Sequence, residues 1–225
     1  MHSSEPTPVA APPAAAAEAA RYALLRRLAP SMRHHLVVNL QPIGMIYEVM
    51  DRRLRAPQPD LAQVQESAGK INGFARAALQ SCLDVVGWLA PDDTVTTGLA
   101  EGVRECTALL ATSLSFRGYA VRNEVGPVPG QVRRAALRAL FTAALVQVTD
   151  HTRPPAELVL EACAQDDAAV LAITVRPGEG DKGFTSERGY RALEWRDLEA
   201  LAQAEGAGIA RAGERLEIRL PWVAG

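Results

Sequence analysis

The order of apolar and polar positions divides the chain into a helical first part and a mixed second part. Laid out at about 100° per residue, Leu25, Leu28, Leu36, Ile43, Ile46, Tyr47 and Met50 fall within about 60° of one line through Met32, the mark of a long amphipathic helix. His34 falls about 200° from that line, so its ring is expected to point at solvent. Val38, Gln41 and Met45 share its face, with Val37 alongside. A helix without a partner has no use for such an apolar surface, so a partner is expected there. Pro42, inside the same helix, removes one backbone hydrogen bond and is expected to bend it one turn beyond the histidines.

Ala56-Pro57-Gln58-Pro59 stops this helix, and Asp60 is placed to cap the next. In that second helix Leu61, Val64, Ala68, Ile71, Ala75, Ala78, Cys82, Val85 and Leu89 recur at alternating steps of three and four, a bundle seam. Leu79, Leu83 and Val86 form a second stripe, more apolar surface than one facing helix covers. Burying a large aliphatic side chain contributes roughly 1.5–3 kcal/mol. Five of them left wet would cancel the roughly 5–15 kcal/mol that holds a domain together. The pattern predicts a four-helix bundle made by two copies of the chain.

After Pro91-Asp92-Asp93 the pattern turns to mixed α and β. It predicts strands at 94–97, 119–125, 157–163, 168–175 and 214–220, and helices at 99–116, 133–148 and 195–205. The strands at 157–163 and 168–175 read as a hairpin across Gln165-Asp166-Asp167. Such a mixture implies a two-layer α/β sandwich, and the whole chain an α+β protein. The expected organisation is a disordered Pro/Ala-rich tail over 1–17, a dimerising helical hairpin over 18–90 and an α/β domain over 91–225.

Composition narrows the function classes. A hydrophobic share of 48% in 225 residues is ample for a core. A net charge of -2 without a Lys/Arg block removes the electrostatic footprint of a nucleic-acid binder. Cys82, Cys106 and Cys163 are odd in number, far apart and set in apolar runs, which suits buried thiols in a reducing compartment. The histidines show no metal-ligand spacing with them, and no metal site is expected. The first residues lack a basic start and a leucine-type apolar run, and no segment offers 18 uninterrupted apolar residues. No membrane association and a cytoplasmic location are therefore expected.

The sequence from His34 to Ile43, H-H-L-V-V-N-L-Q-P-I, resembles the phosphoacceptor helix of two-component sensor histidine kinases. That family reads H-D-x-x-N-x-L-x-P-I or H-R-x-K-N-N-L-Q-x-I. Aligning Asn39-Leu40-Gln41-Pro42-Ile43 places His34 at the acceptor position, with Asn39 in the motif beside it. The other register takes His35, with Asn39 one turn later. The resemblance extends over residues 21–225 in the order of parts, a histidine-bearing hairpin before a two-layer ATPase-type domain. There the family's nucleotide elements are altered. Ala143 and Gln147 stand where two asparagines contact Mg²⁺ and ATP, and Arg176-Pro177-Gly178-Glu179-Gly180 corresponds to the adenine loop D-N-G-P-G. Gly178 and Gly180 keep the loop's shape. Arg176 offers only donors to the adenine amino group, itself a donor, where the family's aspartate accepts. The second glycine-rich loop is reduced to Gly183 and Gly189, and His35 replaces the acid that usually follows the acceptor.

The resemblance therefore implies a degenerate kinase domain, similar to bacterial histidine phosphotransferases that keep the dimeric hairpin and no longer bind ATP. It implies a homodimer with no cofactor of its own. His34 would exchange phosphoryl groups with receiver-domain aspartates of response regulators or hybrid kinases, the receiver supplying Mg²⁺ and docking on Val37, Val38, Gln41 and Met45. Two other readings are a non-catalytic adaptor using the same face and an ATP-dependent kinase with altered contacts. His151, Trp88, Trp195 and Trp222 are expected to pack or to lie on the surface. The run Arg52-Arg53-Leu54-Arg55 is expected to complement a helix C-terminus.

Overall fold

Alanine has the highest intrinsic helix propensity, and proline is accommodated at the first helical position. In the computed structural model, which describes residues 13–184 and 190–223, helix α1 accordingly starts at Pro13 and runs through Ala14-Ala15-Ala16-Ala17 to Leu54 (Pro13–Leu54). Helix therefore begins inside the segment expected to be a disordered tail, and Ala17 is already buried. Residues 1–12 of that segment, and Gly189, lie outside the described residues. Helix α1 passes through Pro30 and Pro42 without interruption.

Helix α2 (Leu61–Leu89) has the bounds read from its periodicity. The Asp60 carboxylate accepts from the Ala62 N–H at 3.0 Å and the Gln63 N–H at 3.2 Å, which fixes its start. The two helices form an antiparallel hairpin, held in register by Asn39 Nδ2 donating to Ser81 Oγ at 3.0 Å and Arg53 Nη1 to Ser67 Oγ at 3.3 Å. Both serines lie on the α2 face turned to α1, with Val64, Ile71, Phe74, Ala78 and Val85 on the same helical stripe. The seam inside the protomer thus differs from the apolar one expected: Leu61, Ala68, Ala75, Cys82 and Leu89 are exposed, and so are Leu79, Leu83 and Val86. Serine at two inward positions hid the true seam from an apolar count.

At about 1.5 Å per residue the 42 residues of α1 outreach the 29 of α2 by about 20 Å. Every fully covered side chain of α1, from Ala17 through Ala20, Ala23, Leu24 and Leu28 to Ser31 and Met32, lies in the N-terminal half that contains this overhang. The α/β domain covers it. That domain comprises β1 (Thr96–Thr97), α3 (Leu99–Phe116), β2 (Tyr119–Asn123), β3 (Val132–Arg133), α4 (Arg134–His151), β4 (Ala156–Ala164), β5 (Ala168–Pro177), α5 (Trp195–Ala204), β6 (Gly208–Ala212) and β7 (Arg215–Pro221).

The main sheet has the order β2-β4-β5-β7-β6, with β2 parallel to β4 and the other pairs antiparallel, while β1 and β3 form a separate pair. Leu158, Leu160, Leu171, Ile173, Leu216 and Ile218 join one core with α3, α4 and α5, giving the two-layer sandwich expected. On the other face Arg215 bridges Glu161 at 2.6 Å and Glu217 at 2.9 Å, laying long charged side chains over Thr174. β3 and β6 were not expected. β6 is a short edge strand flanked by glycines, made by its pairing with β7 across Gly213, whose φ of +57° suits the turn. Among the described residues no helix is long and apolar enough to cross a membrane.

Candidate functional site

The α/β domain covers α1 as far as Met32, 5% exposed, and the helix then emerges. His34 lies just beyond that edge and is exposed, while His35 and Leu36 are half-buried on the side toward α2. The rings of His34 and His35 diverge, their centroids 6.4 Å apart and their planes at 73°. Around His34 the exposed side chains include Val37 (45%), Val38 (50%) and Met45 (55%), with Gln41 exposed among them. A neutral imidazole carries one N–H and one nitrogen lone pair. In this position the ring is open to an electrophile that approaches from solvent.

Asn39 sits elsewhere. Five residues on, it lies about 140° around the helix from His34. Its amide donates to Ser81 and, at 3.3 Å, to the carbonyl of His35. The structure places Asn39 not beside the His34 ring but in the hairpin seam, where it holds α1 against α2. Its polar partner on α2 explains why a polar residue occupies the inward face.

The five residues read as a vestigial nucleotide site lie on α4 and at the end of β5. Ala143 is completely buried in α4, and Gln147, one turn later, is 3% exposed with its Oε1 unpaired. The next residue on that helical face is Asp150. Its carboxylate accepts from both Nη groups of Arg27 at 2.6 Å and from the Leu193 N–H at 3.1 Å, with Arg117 Nη2 at 3.6 Å. Asp150, on the same helical face of α4 as Ala143 and Gln147, thus ties the end of that helix to α1 and the 190–193 segment. Arg176 is exposed at the end of β5, opposite Glu157. Gly178 donates to the Pro155 carbonyl at 3.2 Å, and a Cβ there would come within 2.8 Å of the Ala156 backbone nitrogen, so only glycine fits. Gly180 adopts φ +119° in open space.

A cleft of about 520 Å³ does lie at the C-terminal end of α4, lined by Arg117, Tyr119, His151, Arg153, Lys182 and Phe184 among others. None of the five residues lines it. Arg117 donates there to the Thr149 hydroxyl and carbonyl, and Tyr119 donates to the carbonyls of Thr149 and Thr152, so these groups close the end of the helix. His151 is in the last turn of α4, not in a loop as its surroundings suggested, and contacts the Leu193 carbonyl at 2.9 Å. The ion pairs joining α1 to the α/β domain, Arg27 with Asp150 and Arg21 with Glu205 at 2.6 Å, were not legible in the sequence, since the partners are far apart along the chain.

No family model and no curated protein matches this chain. Solved structures similar to it are histidine kinases and a bacterial phosphotransferase. The histidine kinase AdeS of Acinetobacter baumannii is 12% identical over 85% of this chain and 98% of that chain, with a TM-score of 0.45. The bacterial phosphotransferase is 13% identical over 88% of this chain and 95% of that chain, at 0.41. The ATP-binding domain of PrrB from Mycobacterium tuberculosis is 19% identical over 59% of this chain and 100% of that chain, at 0.41.

Proposed function

We propose that this chain is a histidine phosphotransferase of two-component phosphorelays, working as a homodimer and carrying phosphoryl groups on His34 without using ATP. The unprotonated ring nitrogen of His34 attacks the phosphorus of a receiver aspartyl phosphate. The N–P bond forms, the P–O bond to the aspartate breaks with its electron pair leaving on the carboxylate, and the ring sheds its remaining proton to water. The reverse step delivers the group to a second receiver. Phosphoryl transfer depends mainly on positioning and on neutralising the moving charge. The hairpin supplies the first, and the receiver's acidic site with its Mg²⁺ supplies the second.

The observation that carries this reading is the exposed His34 ring on a helix packed along both ends, amid the exposed side chains of Val37, Val38 and Met45. The burial of Ala143 and Gln147 supports a domain that no longer presents these two positions to a nucleotide. The test is transfer of ³²P from a phosphorylated receiver to wild type, His34→Ala and His35→Ala. Labelling is expected for wild type and His35→Ala and not for His34→Ala. Equal labelling of His34→Ala and wild type would overturn the assignment of His34, and transfer by neither would favour a non-catalytic adaptor. Titration with Mg-ATP is expected to give no heat.

A further inference from the structure

The overhang of α1 is held to the α/β domain by charge as well as by packing. Arg27 and Asp150 make a two-pronged pair, both bonds 2.6 Å, with side chains 6% and 0% exposed. Charges removed from water to that degree persist only when paired and hydrogen-bonded, and here geometry and the Leu193 N–H meet the requirement. Arg27 also donates to the Arg191 carbonyl at 3.2 Å, Arg26 lies over the Tyr190 ring at 5.4 Å, and Tyr22 meets Tyr190 edge-on. One helical face of α1 thus grips both the end of α4 and the 190–193 segment.

Arg27 lies two turns before His34, about 10 Å along the helix. Asn39, bonded to Ser81, lies little more than one turn after it. The ring therefore stands on a stretch of helix fixed at one end by the α/β domain and at the other by α2. We infer that Arg27 and Asp150 are positioning residues for transfer at His34. They make the α/β domain a clamp that holds the histidine helix still, rather than a body that moves to the ring. This rests on the reading of His34 as the phosphoryl carrier.

The test combines hydrogen exchange with transfer kinetics on the full-length chain, using Arg27→Asp, Asp150→Arg, their charge-swapped double variant and Arg27→Gln. Each single variant is expected to lose protection about tenfold or more in 13–32 and 190–204. Each is also expected to slow transfer from a saturating phosphorylated receiver by about tenfold, with the receiver's KM unchanged, because displacing a reacting group by about 1 Å costs up to about a hundredfold. The double variant is expected to recover part of each, since a guanidinium at position 150 still faces Arg117 and leaves the Leu193 N–H without its acceptor. Native protection in Arg27→Asp and Arg27→Gln would overturn the clamp. Lost protection with an unchanged transfer rate would overturn the positioning role. The exchange experiment uses no phosphate, so its result stands whether or not His34→Ala abolishes transfer.

Discussion

Leu79 and Leu83 test most directly whether two copies of the chain pair through α2. They lie one turn apart on α2 and are 62% and 57% exposed in the protomer. By helical periodicity their stripe is centred about 120° from the face that meets α1, so it is free to meet a second neighbour, as a helix of a four-helix bundle does. On α1, Leu40, Tyr47 and Leu54 recur every seventh residue and are exposed by 51%, 56% and 45%, supplying a facing row. Full burial of a leucine contributes roughly 1.5–3 kcal/mol, so covering what is exposed here recovers about 1–2 kcal/mol for each side chain. Two residues in two copies make about 4–8 kcal/mol, and at 1.4 kcal/mol per tenfold the double variant Leu79→Glu/Leu83→Glu should weaken dimerisation by about a thousandfold or more. Both side chains are exposed within one protomer, so helical content by circular dichroism should persist. Sedimentation velocity over a concentration series reads the dimer constant. A wild type that stays monomeric from about 1 to 100 µM, or a double variant with an unchanged dimer constant, would refute this pairing.

The remaining expectations concern folding and reactivity. Burial alone would raise the Asp197 pKa, but Arg191, bonded through both Nη groups at 2.6 and 2.7 Å, and the Glu194 N–H outweigh it and hold the carboxyl below its ordinary 3.8. A carboxyl depressed in the folded state contributes stability that is present above its unfolded pKa and lost as pH falls through the folded one. Asp197→Asn should therefore flatten the fall of urea-unfolding stability below about pH 4, and an unchanged acid limb would contradict this. Cys106 is fully covered, and burial pushes its thiol pKa well up, while Cys82 and Cys163 are exposed. A thiol reagent on the native protein should label Cys82 and Cys163 readily and Cys106 only on unfolding. Leu28 is 0% exposed where α1 meets the α/β domain, so Leu28→Ala should cost about 2–5 kcal/mol, read as a lowered denaturation midpoint.

Features set by local pattern were legible in the chain itself. The bounds of α2 and α3, the cap at Asp60, the hairpin of β4 and β5 and the outward direction of His34 follow from helix and strand periods and from capping chemistry, which act over a few residues. Only the tertiary structure decided where contacts join distant segments. It bonded Asn39 to Ser81, put serines rather than leucines in the seam, and formed β6 through its partner strand. It also paired Arg27 with Asp150, which lie 123 positions apart. A guanidinium and a carboxylate carry no mark of each other in the sequence, and their union depends on where packing brings two helices together. Local periodicity thus determined which way the histidine points, and long-range packing decided what holds it there.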